Sequence, residues 1–402
     1  MRILIQKFGG TSVATDDARA CAAQKVLAAR EAGYTPVVVV SAMGRKGAPY
    51  ATDTLIQLVK TCNPNVSARE LDQIMYCGEI ISAVIMSATL SAMGIPSVTL
   101  TGGQAGIITD DNFSNARIVK VQTASLKSLI TQGIVPVVCG FQGVTAEGAH
   151  TTLGRGGSDT TAAALGNALD AEKIEIYTDV AGIMTADPKL VSEARLLNVT
   201  TYQEVCQMAE QGAKVIHPRA VEIAMQKNIP LVIRSTFSDE AGTLITSHTI
   251  GLETNIEDQT VTSVAYVANL AQIKLVSESD PLIAAHIFRK LGEGGISADM
   301  INVCADQIQF TVPDTHAEKA MALLAAFSCR LSTEADCAKV TIVGGGMRGV
   351  PGVMANFMEA LQEESVEVLQ TVDSHTTISA LIKTADLAKA VTVLHKKFKL
   401  SL

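Results

Sequence analysis

The sequence predicts an α/β chain: an open, mainly parallel sheet with helices on both faces, followed by two small βαββαβ units. Three observations predict it. Strand and helix signals alternate through roughly the first 240 residues. A polar, irregular stretch from 246 to 260 then breaks the pattern. Beyond it the chain repeats itself: Pro281 falls on Pro351, Ala285 on Ala355, Leu291 on Leu361, Lys319 on Lys389 and Ala320 on Ala390, and each copy reads strand, helix, strand, strand, helix.

The elements follow in order. Ile3 to Phe8 is a strand ended by Gly9-Gly10, an Ala-rich helix runs from Ala14 to Ala32 and stops at Gly33, and Pro36 to Val40 is a strand buried on both faces. Further strands are expected at Ser97–Thr101, Val135–Gly140, Ile174–Thr178 and Leu231–Ser235, and helices at Ala68–Met93, Ala116–Gln132, Asp159–Leu169 and Pro218–Lys227. The domain limits expected from these signals are 1–245, 260–332 and 336–402.

Composition narrows the function classes. The chain has 402 residues, 48% of them hydrophobic, so disorder is excluded. Its net charge is -8, a poor match to nucleic acid or to an anionic membrane. The eight cysteines form no C-x-x-C pair and no zinc-ligand spacing, and they are expected to be small buried hydrophobes in a reducing compartment. No signal peptide opens the sequence and no apolar run reaches the ~20 residues needed to span a bilayer, so a soluble cytoplasmic protein is expected.

Four motifs carry chemistry. In Lys7-Phe8-Gly9-Gly10-Thr-Ser-Val13 a lysine ends a strand and two glycines follow, which at the carboxyl edge of an open sheet faces the ligand crevice. Glycines let backbone N–H groups reach phosphate oxygens, and Lys7 brings a cation to a transferring phosphoryl group; the competing reading is a tight turn with a surface lysine. Thr151-Thr-Leu-Gly-Arg155-Gly156-Gly157-Ser158-Asp159 leads into an Ala-rich helix that Ser158 or Asp159 could cap. Capping leaves Arg155 and its glycines unexplained: an arginine with no bulky neighbour suits a two-pronged bond to a carboxylate, and Asp159 could instead hold a lysine.

In the third motif, Thr178 and Asp179 end a strand and suit a ribose or base, with Asp187-Pro188-Lys189 further along the same loop; an ordinary βα loop is the alternative. In the fourth, Gln211 to Arg219, Lys214 could reach a phosphate, and His217 before Pro218 reads as a helix-start residue rather than a base. Ser41-Ala-Met-Gly44 ends the second strand at the same crevice. Glu79 sits in an otherwise apolar helix, where a carboxylate must face water, pair or bind a cation.

Together these motifs, in this order, resemble the aspartate kinases (aspartokinases) of the amino acid kinase superfamily, and the 70-residue repeat resembles their two C-terminal ACT domains. The likeness covers essentially the whole chain. Gly44 to Asp53 and Asp373 to Thr377 look closest to the monofunctional, diaminopimelate-sensitive Bacillus type. The resemblance implies ATP-dependent phosphorylation of the L-aspartate side chain under amino-acid feedback. It implies that Lys7 binds the ATP phosphates, Asp159 positions the catalytic lysines, Arg155 holds the aspartate α-carboxylate and Glu79 its ammonium. Ser41, Thr52 and the backbone of Gly156, Gly157 and Ser158 would lie nearby. Phe8, Gly9, Gly10, Thr178, Asp179, Asp187, Lys189, Lys214 and Val215 would form the nucleotide side, with Mg2+ carried mainly by ATP oxygens.

It further implies an effector (diaminopimelate, lysine or threonine) near Ser279, Asp280, Ser297 and Asp299, and a homodimer formed through the ACT domains. Three positions depart from the family: Lys189 replaces a common arginine, Met184 an aromatic, and Pro281-Leu282 the usual Pro-Gly. Two other readings compete. Gly344-Gly-Gly346-Met-Arg-Gly349 fits G-x-G-x-x-G and suggests an NAD-dependent dehydrogenase. A catalytically dead amino-acid sensor is the other, opposed by Lys7, Glu79, Arg155 and Asp159 occurring together.

Overall fold

In the first strand, β1 (Ile3–Phe8), all six residues are buried, including Gln6 and Lys7. A strand hidden on both faces must be central, and β1 lies between two parallel neighbours. The computed structural model describes residues 1–213, 215–247, 260–276, 283–304, 306–327, 329–347 and 349–402. The chain divides into two compact units: Met1–Ile183 with Leu196–Ala209 and Lys214–Glu253, and Met184–Arg195 with Glu210–Ala213 and Thr254–Leu402.

In the first unit α1 (Asp16–Glu31) follows β1, then β2 (Thr35–Val40), α2 (Thr52–Cys62), α3 (Ala68–Ala92), β3 (Ser97–Leu100), β4 (Ile107–Thr109), β5 (Ile118–Val121), α4 (Ala124–Thr131), β6 (Val135–Cys139), β7 (Gln142–Val144) and β8 (His150–Thr152). Next come α5 (Gly157–Leu169), β9 (Lys173–Thr178), β10 (Val199–Thr201), α6 (Tyr202–Glu210), α7 (Pro218–Met225), β11 (Leu231–Ser235) and β12 (Thr243–Thr246). Among the described residues eight strands form one sheet, ordered β10-β12-β11-β9-β1-β2-β6-β3. Every neighbouring pair is parallel except β11 with β12. The expected open, mainly parallel sheet is therefore present. The chain leaves β1 toward β2 on one side and returns through β9 on the other, which opens a crevice at the carboxyl ends of these strands.

Side-chain alternation along β1 distributes the helices. Phe8 packs in the cluster that joins Ala22, Ala23 and Val26 of α1 to Ala83, Met86 and Leu90 of α3. Ile5 and Lys7 face the other way, toward Gly166 and Asp159 of α5. α1 starts at Thr15, whose hydroxyl accepts from Ala18 N, with Asp16 and Asp17 in its first turn. α3 is long and apolar enough to cross a membrane, yet it buries Asp72 and Glu79 and packs against β3, β6 and β8, as a core helix does.

Two expectations fail here. Ala116–Gln132 is not one helix: β5 occupies Ile118–Val121 and pairs with β4 in a small sheet ordered β5-β4-β7-β8. Nor are the cysteines mostly buried. Only Cys139 and Cys337 are, whereas Cys62, Cys77 and Cys304 are exposed; all eight are free thiols.

The second unit holds β13 (Ser263–Val276), α8 (Ile283–Glu293), β14 (Asp299–Val303), β15 (Gln307–Pro313), α9 (Asp314–Leu324), β16 (Arg330–Val343), α10 (Val353–Glu363), β17 (Gln370–Asp373), β18 (Thr377–Lys383) and α11 (Leu387–Lys397). The repeat is visible in these bounds: α8 maps onto α10 and β15 onto β18 at the same offset as the sequence. The strands join in one antiparallel sheet ordered β14-β15-β13-β16-β18-β17. β13 and β16 are long because each serves both copies. Residues 270–276 of β13 pair with β15, while 263–267 pair with the end of β16 beside β18. The register shifts between Val267 and Leu270, and Asn269 and Asp336 adopt positive φ at this junction.

Each copy is thus a four-stranded ferredoxin-like sheet, and β16 runs without interruption from one to the other. Gly344–Gly349 follows a strand of this antiparallel sheet, which rules out the dinucleotide fold that G-x-G-x-x-G would need.

The segment 184–195 folds with this unit. Ala186 and Val191 lie in its core beside Val264, Val340 and Leu394. Val264 N donates to Thr185 O at 2.8 Å, and Thr185 Oγ1 and His395 Nε2 are 2.9 Å apart.

Candidate active site

The crevice of the first unit collects the loops after β1, β2, β6 and β9. Lys7, the penultimate residue of β1, places Nζ 2.6 Å from Asp159 Oδ1, and the two side chains are only 11% and 13% exposed. Asp159 stands in the first turn of α5 and is committed to this pair. Neither it nor Ser158 caps the helix, so the capping alternative fails: Gly156 is the N-cap, at φ 70°, and no side-chain oxygen accepts there. A Cβ at Gly156 would lie 2.3 Å from His217 Cβ and 2.4 Å from its ring at Cγ, so glycine is required for two reasons at once. The start of α5 therefore presents a positive dipole end, with Lys7 against its first turn and Arg155 two residues before it.

The loop after β1 is stitched to its neighbours. Gly9 N donates to Tyr177 O at 3.1 Å, Ser41 N to Phe8 O at 3.1 Å and Gly44 N to Gly10 O at 3.0 Å. A Cβ at Gly10 would lie 2.7 Å from both Ala42 O and Gly44 O. Ser12 is locked from below, where Thr236 Oγ1 donates to its hydroxyl at 2.7 Å. Ser158 packs under the same floor, since a Cβ at Gly140 would meet its side chain at 2.8 Å.

Glu79 is 2% exposed, and its Oε1 accepts from Ala42 N at 3.1 Å while Oε2 has no partner. Burial pushes its carboxyl up to about 8, against the opposing pull of backbone N–H groups. Oε2 is thus a buried oxygen left without a partner beside the Ser41–Gly44 loop. Gly78 beside it has no room for a side chain, with Ala42 Cβ 3.0 Å and Tyr50 O 3.2 Å from the Cβ position. Thr52 opens α2 just beyond Ala51.

On the β9 side, Thr178 Oγ1 donates to Asp179 Oδ1 at 3.1 Å, and Arg45 donates to Asp179 Oδ2 at 2.5 Å. Arg45 was not anticipated as a partner; it reaches from the loop after β2, so Asp179 is paired rather than free. Phe8 stacks on Tyr177 at 4.8 Å in the core, which leaves only its backbone at the crevice. Asp187 and Lys189 fold with the second unit: Asp187 Oδ2 accepts from Tyr266 OH at 3.0 Å and Oδ1 from Lys189 N at 2.9 Å. Val215 is half-buried in the turn before α7.

His217 is the N-cap of α7, its Nδ1 accepting from Arg219 N at 3.3 Å, as a helix-start residue should. Burial depresses its pKa, the nearby Asp159 raises it, and Arg219 and Arg155 lower it again. Of the expected effector residues, Ser297 is exposed and Asp299 is paired with Lys339 Nζ at 2.5 Å. Lys214, Ser279 and Asp280 lie outside the described residues.

Sequence reasoning passed over two residues beside the Arg155 loop. Asp72 is fully buried and accepts from Ser114 N, Ser114 Oγ, Thr152 N and Thr152 Oγ1 at 2.8–3.0 Å. Arg219 donates to Leu153 O and Ala116 O. Arg219 had a signal: a cation in the first turn of a helix opposes the dipole, so it must answer to a specific acceptor.

The comparisons agree with this geometry. The amino acid kinase family matches residues 2–235, and an ACT domain matches 332–396. Aspartokinase 1 of Bacillus subtilis is 45% identical over 403 residues, covering all of both chains. Aspartokinase of Thermus thermophilus is 40% identical, covering 100% of this chain and 99% of its own. Among solved structures, E. coli aspartokinase III in complex with aspartate and ADP has a TM-score of 0.80 at 25% identity, covering 98% of this chain and 99% of that one. The same enzyme in complex with lysine and aspartate gives a TM-score of 0.77 at 25% identity. A kinase domain whose ligand crevice opens at its strand ends, joined to a C-terminal ACT region and matched end to end by aspartokinases, leaves one conclusion: the chain belongs to the aspartate kinases.

Proposed function

We propose that the start of α5 is where the phosphoryl group passes from ATP to aspartate. The activity is that of an aspartate kinase: a side-chain carboxylate oxygen of L-aspartate attacks the γ-phosphorus, the bond to the β–γ bridging oxygen breaks, and 4-phospho-L-aspartate and ADP result. The nucleophile is already ionised near neutral pH, so no general base is required. What the chain supplies is position and charge.

Lys7 binds the ATP phosphates and meets the charge that develops on the transferring group, with Asp159 fixing its ammonium. The amides after Gly9 and Gly10 and the dipole of α5 add to that field. Arg155 holds the aspartate α-carboxylate, and Glu79, through its unpartnered oxygen, holds the α-ammonium, with Ser41, Thr52, Gly156, Gly157 and Ser158 around them. Thr178 and Asp179 form the nucleotide side, to which the family resemblance adds Asp187, Lys189, Lys214 and Val215. Mg2+ would be carried mainly by ATP oxygens and water, its charge offsetting that of the phosphates.

We place the catalytic domain at 1–245 and the ACT domains at 260–332 and 336–402. The ACT domains take an amino-acid effector: diaminopimelate, lysine or threonine. Asp299, at the start of the strand at one edge of the sheet, and Ser297 two residues before it support a site there, where an effector ammonium would replace Lys339. The same modules carry a homodimer, and eight free thiols suit a cytoplasmic setting.

The single observation that carries this reading is the Lys7–Asp159 pair in the turn that Arg155 precedes. Kinetics of Lys7→Ala and Arg155→Ala test it. Arg155→Ala raises the KM for aspartate with little change for ATP, whereas Lys7→Ala lowers kcat by about 10²–10³-fold. The reverse split would mean that the two sides are wrongly assigned.

A further inference from the structure

The bend that presents Arg155 is held from outside by a residue that lies in no part of the reacting site. Arg219, in the first turn of α7, donates from Nη1 to Leu153 O at 3.2 Å and to Ala116 O at 3.3 Å, and from Nη2 to Ala116 O at 3.3 Å. Leu153 is two residues before Arg155. Ala116 N in turn donates to Thr152 O at 2.9 Å, so the guanidinium spans two backbone segments, one leading into β5 and the other into α5. Asp72 fixes the other side of the same bend through Thr152 and Ser114. Asn115 Oδ1 would lie 2.7 Å from a Cβ at Gly154, which closes the remaining gap. Arg155 itself is exposed and makes no ion pair among the described residues.

This is an uneconomical way to stabilise a loop. A cation in the first turn of a helix faces the positive dipole end. Burial and the nearby Arg117 both weaken the hold of Arg219 on its proton, and Asp110 and Glu222 offset this only in part. Two carbonyls, rather than a carboxylate, accept its hydrogen bonds. A planar fork can bind both carbonyls at a fixed separation, and a lysine cannot.

We propose that Arg219 is a positioning residue for aspartate recognition: by tying Leu153 O to Ala116 O it sets the direction in which Arg155 leaves the bend, without touching substrate. The inference rests on the assignment of Arg155 to the aspartate carboxylate. A carboxylate bound by two parallel hydrogen bonds is sensitive to displacement of the arginine backbone, and a shift of about 1 Å costs up to ~100-fold.

The test is steady-state kinetics of the full-length enzyme, varying each substrate, for Arg219→Met, Arg219→Lys and Arg155→Ala, with thermal melts of all three. Arg219→Met, which keeps the stem and loses the donors, raises the aspartate KM by about tenfold to 100-fold with the ATP KM within about twofold. Arg219→Lys falls between it and wild type. A purely structural role would instead lower Tm and active fraction with both KM values unchanged, and that result overturns the proposal, as does a parallel rise in both. An effect of Arg155→Ala on aspartate without one of Arg219→Met overturns this inference alone; no effect of Arg155→Ala overturns it together with the assignment beneath it. Should Arg219→Met fail to fold, Arg219→Lys decides: an aspartate KM raised selectively supports the proposal and an unchanged one overturns it.

Discussion

Lys7 Nζ and Asp159 Oδ1 lie 2.6 Å apart, one at the end of the central strand and the other in the first turn of the helix that covers it. The pair spends on a side chain what most helices spend on a cap, and it leaves the start of α5 open to an anion. Lys7→Ala lowers kcat by about 10²–10³-fold, the loss expected when one preorganised donor is removed. It also leaves Asp159 without its cation, at a cost of about 1–3 kcal/mol. Urea unfolding of Lys7→Ala, Asp159→Ala and the double variant checks this: the double variant is more stable than the sum of the two single losses predicts. Strict additivity would mean that the two side chains are not coupled.

Glu79 gives a proton-linked prediction. Its carboxyl is raised to about 8 in the folded chain, against the ordinary 4.5. Below about 4.5 both folded and unfolded forms hold the proton, and the group contributes nothing. Between 4.5 and 8 the folded form holds more protons, so stability falls as pH rises through this window. Glu79→Gln therefore melts higher than wild type at pH 8, and the advantage shrinks toward pH 5. An aspartate ammonium at Oε2 favours the ionised form, so aspartate binding at pH 7 releases up to about one proton in wild type and none in Glu79→Gln. Calorimetry in buffers of different ionisation enthalpy reads this directly; equal proton release in both would remove Glu79 from the substrate.

Gly10→Ala tests the backbone floor. Its Cβ would enter within 2.7 Å of Ala42 O and Gly44 O, both backbone atoms that cannot swing aside. The loop after β1 must move, so kcat/KM for ATP drops by about tenfold or more while the fold survives with a loss of about 1–3 kcal/mol. Unchanged ATP kinetics in a folded Gly10→Ala protein would show that this loop does not serve the phosphates.

A chain ended at residue 245 does not behave as a clean catalytic fragment. It retains 184–195 but loses the core in which Ala186 and Val191 are buried, as well as His395 beside Thr185 and Tyr266 beside Asp187. The expected outcome is a less stable, aggregation-prone protein that no longer responds to diaminopimelate, lysine or threonine, seen by gel filtration and an inhibition panel. Inhibition that persists in an active shortened chain would place the effector site outside the ACT region.

How much of this was legible in sequence depended on where the deciding physics lay. Val37 to Val40 and Val135 to Cys139 announced central strands because burial on both faces leaves only aliphatic residues. Ile118–Val121 was misread as helix: its alternation is too short to outvote the helical stretch after it, and its pairing with β4 decides the matter, with Val119 70% exposed at the edge. Lys7, Arg155 and Glu79 were legible because each is a charge set among glycines or apolar residues with no local reason to be there. That Asp187 and Lys189 fold with the second unit and that Arg219 grips a carbonyl 66 residues away in sequence are long-range facts. No local pattern encodes them.

The central claim is that this crevice presents an aspartate carboxylate to the γ-phosphate of ATP. ATP-dependent hydroxamate formation, with L-aspartate, L-glutamate and N-acetyl-L-glutamate as acceptors and wild-type and Arg155→Ala enzymes side by side, tests it most directly. The account predicts hydroxamate from L-aspartate alone, with the aspartate requirement raised by about tenfold to 100-fold in Arg155→Ala. Comparable yield from L-glutamate, or an aspartate requirement untouched by the substitution, would contradict it.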